Sequence, residues 1–325
     1  MSVLIVAPNW LGDSVMALPA IRDVRRHFSG QTLTIAARSS VAPVFRAVPG
    51  VDAVTILERG KESSQLRADI AILLPNSFRS AWMLKRAGIK ERWGYRSDFR
   101  GLLLTRGVRR LRRRVSFPEY YSNLVRQLGI ETGPLTAKLE LRAAASDAAL
   151  KLLGERGWKG QPLVGIAPGA AFGHAKRWSR KRYAELATLL TRELGALCVI
   201  LGRSEDRDVA HEIQGIDLIG ETDLPMLMGV ISHCRALVAN DSGALHLAAA
   251  LGVPIAGIYG PTDERYSTPL SPFEDPAGRV VTISESVFCR PCHLADCPID
   301  HRCMKRIPAA RVFDVVRGFL QETSA

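Results

Sequence analysis

Short apolar runs that give way to a Gly-bearing polar turn and then to helix-spaced apolar positions recur along the chain, and the pattern starts afresh once. Val3 to Ala7 leads into Pro8-Asn9-Trp10-Leu11-Gly12-Asp13-Ser14 and then into Val15, Leu18, Ile21 and Val24. Further β-like runs follow at Leu33 to Ala36, Ala53 to Leu57 and Ile70 to Leu74. An Ala- and charge-rich helical stretch from Ala143 ends in Gly157-Trp158-Lys159-Gly160-Gln161-Pro162, which reads as a linker. The alternation then resumes with strands at Leu163 to Ala167, Leu197 to Leu201, Leu218 to Ile219, Ala236 to Ala239 and Pro254 to Tyr259. Helices at Lys181 to Glu193, Asp206 to Ile213, Leu224 to His233 and Ala244 to Leu251 are expected between them. Strand and helix in strict alternation give parallel sheets with right-handed crossovers. The expected fold is therefore α/β, with two doubly wound domains at 1–155 and 156–325. The last helix, Ala309 to Glu322, is expected to fold back across the linker.

A chain of 325 residues with 47% hydrophobic content can bury two such cores. No apolar run reaches the roughly 20 residues of a membrane span, and Met1 to Val6 lacks the basic start of a signal peptide, so a cytoplasmic location is expected. The formal net charge is +12 and it is unevenly spread: Arg106, Arg109, Arg110, Arg112, Arg113 and Arg114 crowd into one segment. Guanidinium groups bind phosphate in bidentate fashion, so the cluster suits a polyanion; an ordinary solvated face is the plainer alternative. No aromatic residues interleave with it in the linear sequence, which favours an anionic membrane surface over nucleic acid.

Two turns in the second half carry the chemistry. Pro168-Gly169-Ala170 with Ala175-Lys176-Arg177-Trp178 follows one expected strand, and Asn240-Asp241-Ser242-Gly243 with His246 follows another. Strand-to-helix turns are where α/β sheets bind ligands. Gly243 lets backbone N–H groups approach an oxygen ligand, the helix after it aims its positive end at a phosphate, and Lys176 adds a mobile charge. The pair points to a nucleotide diphosphate. Asp241 would repel that anion, so it either caps the helix or contacts sugar hydroxyls.

Six cysteines occur, and Cys289, Cys292, Cys297 and Cys303 fall together with His293 and His301 among them. In a reducing compartment this spacing reads as a structural zinc site, against free thiols in a loop. Cys198 and Cys234 sit in apolar runs and read as core.

The motifs Pro8-Asn9-Trp10-Leu11-Gly12-Asp13, Leu74-Pro75-Asn76-Ser77-Phe78-Arg79-Ser80-Ala81 and Gly94-Tyr95-Arg96, with the two turns just described, occur in this order over most of the chain. Together they resemble the bacterial lipopolysaccharide ADP-heptose heptosyltransferases, most of all the heptosyltransferase II branch. The resemblance implies two facing Rossmann-like domains (GT-B architecture), the first for the acceptor and the second for ADP-heptose. It implies inverting transfer of heptose to the first heptose of the lipopolysaccharide inner core, with no cofactor required. The enzyme would sit peripherally at the cytoplasmic face of the inner membrane.

Residue by residue, the resemblance makes Asp13 the general base, with capping of a helix starting at Ser14 as its alternative. Lys176 would neutralise the donor diphosphate. Gly169, Asp241, Ser242, Gly243 and His246 would line the donor site, His246 having the alternative of a satisfied, half-buried helix histidine. Glu205 would hold ribose hydroxyls. Asn9, Gly12, Asn76, Ser77 and Arg79 would face the acceptor. Ala171 and His174 stand where the family often carries an acidic residue and a proline, and the cysteine cluster is not general to it. Competing readings are a first-heptose transferase of type I and a non-catalytic nucleotide- or RNA-binding protein.

Overall fold

The computed structural model describes residues 1–111, 114–171, 173–274 and 279–322 and divides into two compact units, Met1–Glu140 and Leu141–Ala325. Arg112, Arg113 and Phe172 lie outside the described residues.

The first unit runs β1 (Ser2–Val6), α1 (Leu11–Met16), α2 (Leu18–His27), β2 (Thr32–Ala37), α3 (Ala42–Arg46), β3 (Ala53–Ile56), β4 (Ile70–Leu73), α4 (Phe78–Arg86), β5 (Glu91–Arg96), a 3-10 turn (Arg100–Leu103), β6 (Arg106–Arg109) and α5 (Phe117–Gln127). Its strands form one six-stranded sheet in the order β3-β2-β1-β4-β5-β6. Every pairing is parallel. The central strands are apolar on both faces because helices cover both: Leu4, Ile5, Leu33, Ile35, Ala71 and Leu73 are fully buried.

The second unit runs α6 (Ala143–Glu155), β7 (Leu163–Ala167), α7 (Arg180–Leu194), β8 (Leu197–Ile200), a 3-10 turn (Ser204–Asp206), α8 (Arg207–Ala210), β9 (Ile216–Asp217), α9 (Leu224–Ser232), β10 (Ala236–Asn240), α10 (Gly243–Ala250), β11 (Ile255–Tyr259), α11 (Glu264–Ser267), β12 (Val280–Ser284), α12 (Arg302–Lys305) and α13 (Ala309–Glu322). The sheet order β12-β11-β10-β7-β8-β9 repeats the first topology, again all parallel. In each sheet the chain reverses direction between the first and fourth strands of the unit, the switch point where such folds bind ligands.

Three expectations shift. The boundary at 155/156 moves to 140/141, because α6 packs on α9. The helix at 309–322 packs on α7, β10 and β11 of its own unit. The strand expected at Leu218 to Ile219 forms two residues earlier, where Ile216 pairs with Val199. Cys198 and Cys234 are buried core residues as expected, with burial pushing the Cys198 thiol up to about 12.

Candidate functional site

In the second unit the turns after β7 and β10 are tied together by Asn240, the last residue of β10. Its buried amide donates to the carbonyls of Pro168 (2.6 Å) and Gly169 (3.3 Å). Its carbonyl oxygen accepts from the Trp178 backbone N–H and the Tyr183 hydroxyl, both at 3.0 Å. A buried polar network satisfied in this way rigidifies what it joins. Trp178 anchors the far end: it is 1% exposed, stacks edge-on to Tyr183 and donates its indole N–H to the Ile307 carbonyl (3.0 Å).

This framework sets Lys176 against Asp241. Lys176 Nζ lies 2.6 Å from Asp241 Oδ2, and the Thr262 hydroxyl donates to the same oxygen at 2.8 Å. The two charged side chains are only 16% and 7% exposed, so neither meets bulk water fully. Asp241 does not cap α10. The N-cap is Ser242, in extended conformation and making no side-chain cap hydrogen bond, so its hydroxyl does not occupy the backbone donors of the first turn. His246, one turn into α10, is 2% exposed. Burial, with a smaller contribution from the Lys176 charge, lowers its pKa to about 4, so the ring is neutral at pH 7. Its Nδ1 is buried and makes no hydrogen bond, so it is neither half-buried nor satisfied.

Gly169 serves packing. A Cβ there would fall 2.3 Å from the carboxyl carbon of Asp206. Asp206 is 4% exposed, accepts the Arg203 N–H (3.1 Å) and pairs with Arg177 (3.3 Å). The carboxylate that meets the Gly169 turn is therefore Asp206, whereas the Glu205 side chain is 66% exposed and lies 3.9 Å from Arg203. We expect Gly169→Ala to cost about 1–3 kcal/mol through this overlap, read as a lowered thermal midpoint; an unchanged midpoint would show that the turn relaxes freely.

The cysteine segment braces the turn after β7 and the turn after β11, whose Thr262 reaches Asp241. Ala295 O accepts the Ala175 N–H (2.9 Å), and Pro261 O accepts the N–H groups of Cys292 (3.0 Å) and His293 (2.9 Å). The Arg290 guanidinium donates to Gly260 O (2.8 Å) and Thr262 O (3.0 Å). Gly173 is required at its place, with φ +70° and with Ala295 O at 2.1 Å from where a Cβ would stand. Among the described residues, however, no group of three or more His, Cys, Asp or Glu is placed to hold a metal, so the four thiols do not form the expected ligand set. All six cysteines are free. Burial first, then the charges of Cys289, Cys292 and Cys297, raise the Cys303 pKa.

In the first unit the turn after β1 enters α1 at Leu11, earlier than expected. Asp13 is thus within the first turn of the helix and is not its cap; the N-cap position is Trp10. Asp13 is half-buried, and its charge acts on Tyr121 of α5, a phenol already held well above its usual range by burial. Asn9 is exposed and Gly12 half-buried. After β4, Ser77 caps α4 by accepting the Ser80 N–H (3.3 Å), and the Asn76 Oδ1 is buried with no hydrogen bond. Arg79 pairs with Glu62 (2.8 Å), which also takes Arg38 (3.0 Å). Hydrogen bonding by its own backbone amide, then by Arg38, lowers the Glu62 carboxyl to about 2. A cavity of about 300 Å³ opens here, lined by Lys61, Glu62, Arg79, Trp82 and Arg86.

Pairing of β6 with β5 supplies what the linear sequence hides. It brings the Arg106 guanidinium 4.9 Å from the Trp93 ring centroid, and Arg110 lies 5.8 Å from that of Tyr120. The arginine cluster does have aromatic partners, but these rings are already occupied by its own side chains.

The sequence profile of glycosyltransferase family 9 (heptosyltransferase) matches residues 59–297. The chain belongs to this family. Among the relatives of this family 9 glycosyltransferase, lipopolysaccharide heptosyltransferase 2 of Escherichia coli (strain K12) is 31% identical over 318 residues, covering 83% of this chain and 86% of the relative. Lipooligosaccharide heptosyltransferase 2 of Haemophilus ducreyi is also 31% identical, over 311 residues with the same coverage. The solved structure of E. coli ADP-heptose lps heptosyltransferase II superposes with a TM-score of 0.84 at 27% identity, over 100% of both chains. The family 9 match takes in Lys176, Asp241 and His246 and starts after Asp13. Among the described residues no helix is long and apolar enough to cross a membrane.

Proposed function

We propose that this chain is an inverting transferase that moves L-glycero-D-manno-heptose from ADP-heptose to the first heptose of the lipopolysaccharide inner core. The observation that carries the reading is the Lys176–Asp241 pair at the head of α10, beside an N-terminus without a side-chain cap and a neutral His246. Such a site suits a sugar diphosphate: the ammonium and the helix dipole take the phosphates while the carboxylate takes sugar hydroxyls. The names of the 31%-identical relatives, lipooligosaccharide and lipopolysaccharide heptosyltransferase 2, support heptose transfer to such an acceptor.

In this reading the second unit holds the donor, and the first unit holds the acceptor through Asn9, Gly12, Asn76, Ser77 and Arg79. Asp13 takes the proton of the acceptor hydroxyl as that oxygen attacks the anomeric carbon from the face opposite the diphosphate. The new glycosidic C–O bond forms as the bond to the diphosphate oxygen breaks. ADP departs with the electron pair, and Lys176 with the α10 N–H groups stabilises the charge that grows there. Ser242 and Gly243 contribute backbone donors, and Glu205 meets the ribose. A metal at Cys289, Cys292, Cys297 and Cys303 would act on structure alone, stiffening a segment that already braces the turns after β7 and β11. Metal analysis of the purified protein decides whether one is present.

The deciding experiment is transfer from ADP-heptose to two acceptors, a core carrying one heptose and a core carrying none. We expect turnover on the first and little on the second. Preference for the heptose-free core would replace the reading with a first-heptose transferase, and no turnover on either would remove it.

A further inference from the structure

Four large apolar side chains of the first unit lie open to solvent on two adjoining elements. Phe99 and Leu102, in the turn after β5, are 96% and 97% exposed, and Phe78 and Trp82 on α4 are 43% and 44% exposed. The two α4 rings stack with centroids 6.4 Å apart. The 3-10 turn packs on α4, and the Asp98 carboxylate accepts the Phe78 N–H at 2.6 Å.

This exposure is built into a firm turn. Arg100 is 0% exposed, and its guanidinium donates to the carbonyls of Tyr95 (2.9 Å) and Pro75 and to the Ser80 hydroxyl (3.2 Å). Leu103 is buried beside it. Asp98 and Phe99 both adopt left-handed backbone conformations, with φ of 47° and 54°, which bulky L residues enter only against resistance. The outcome is a turn pinned inward at positions 100 and 103 that presents positions 99 and 102 outward.

Cationic side chains flank the patch, with Arg79 and Arg86 lining one cavity with Trp82. Lys85 Nζ lies 5.8 Å from the Trp82 ring centroid, and Arg79, Arg86 and Arg96 are exposed nearby along the chain. Because the sheet is all parallel, the segments after β1, β4, β5 and β6 leave it along one edge. That edge carries Asp13, the start of α4, the Phe99 turn, and exposed Arg110 and Arg114.

We infer that this edge of the first unit seats on an anionic phospholipid surface, with Phe99 and Leu102 entering the boundary between headgroups and acyl chains and the flanking cations meeting lipid phosphates. Apolar side chains flanked by Lys and Arg are the composition that binds such interfaces. Charge selects this occupant over a second copy of the chain. A symmetric pairing of the patch would set two copies of Lys85, Arg86 and Arg96 against each other. The inference deepens the proposed function, in which the acceptor saccharide is anchored in a bilayer.

The test sediments the full-length protein with vesicles and no substrate. Parent protein should partition at least about tenfold more strongly to phosphatidylcholine vesicles containing phosphatidylglycerol than to phosphatidylcholine alone. Phe99→Ser/Leu102→Ser should weaken partitioning to the mixed vesicles at least about tenfold. The variant should keep the parent's thermal midpoint and its kcat/KM on a deacylated, water-soluble core acceptor, while losing turnover on the same core anchored in vesicles. Equal partitioning of parent and variant would overturn the inference, as would a concentration-dependent parent dimer that the variant loses. Vesicle binding does not depend on turnover, so a protein that docks as described but transfers no heptose sinks the proposed activity and leaves the docking intact.

Discussion

Asp13→Asn should lower kcat/KM for heptose transfer by about 10²- to 10⁴-fold while ADP affinity stays within about twofold of the parent. Asn keeps the shape of the side chain and its place in the first turn of α1 but cannot accept a proton. The variant should fold normally, because Asn fills the same space inside α1, which begins at Leu11 with Trp10 as its N-cap. The Tyr121 phenol, whose environment includes the Asp13 charge, offers an internal control. Its near-ultraviolet signal should shift slightly without any loss of thermal stability. Turnover near the parent value would remove Asp13 from the reaction, whatever the standing of the donor site.

Lys176→Met should have the second large effect, and on two quantities at once. Catalysis should fall about 10²- to 10³-fold, as when one preorganised charge at a departing group is removed. Stability should fall by up to about 3 kcal/mol, because Asp241 stays nine-tenths buried and keeps only the Thr262 hydroxyl of its two side-chain donors. The double variant Lys176→Met/Asp241→Asn separates the two. It should recover most of the thermal midpoint by removing the stranded carboxylate, yet stay as inactive as the single variant. Recovery of turnover in the double variant would mean that Lys176 only balances Asp241 and that the diphosphate is held elsewhere.

The central strands were legible because their residues are apolar on both faces. β1, β7, β8, β10 and β11 read as unbroken apolar runs, and helices on both sides of a parallel sheet require that composition. The two strands at the β6 side of the first sheet were not, although the opposite edge strand, β3, was read at Ala53 to Leu57. β5 is Glu-Arg-Trp-Gly-Tyr-Arg and β6 is Arg-Gly-Val-Arg, so both carry charge where a strand pattern would show Val or Ile. β6 is an edge with one side open, and its pairing with β5 is what carries Arg106 to Trp93. The site divides in the same way. Lys176, Asp241 and Gly243 stand in short contiguous motifs and could be picked out by chemistry. The role of Asn240 could not, because its four partners lie 57 to 72 residues away and no local spacing encodes them. Thr262, Asp206 and the hold of Ala295 on the turn after β7 were missed for the same reason: each acts through a contact between distant parts of the chain. The bracing of the segment after Tyr259 by the cysteine cluster was legible. The start of α1 was misplaced because Pro8 to Asp13 reads as loop residues, with Ser14 the more conventional first helical position.

The stitching of Pro168, Gly169 and Trp178 to β10, together with the anchorage of Ala175 against Ala295, means that these residues lose their conformational freedom when the chain folds and not when a nucleotide arrives. A ligand entering there meets a surface already in its final shape, so little of its binding energy goes into organising a lid. Discrimination between diphosphate sugars then depends on fit to a fixed mould. A donor that differs by one hydroxyl near Asp241 would leave that carboxylate short of a partner, since the surrounding backbone is not free to close around it.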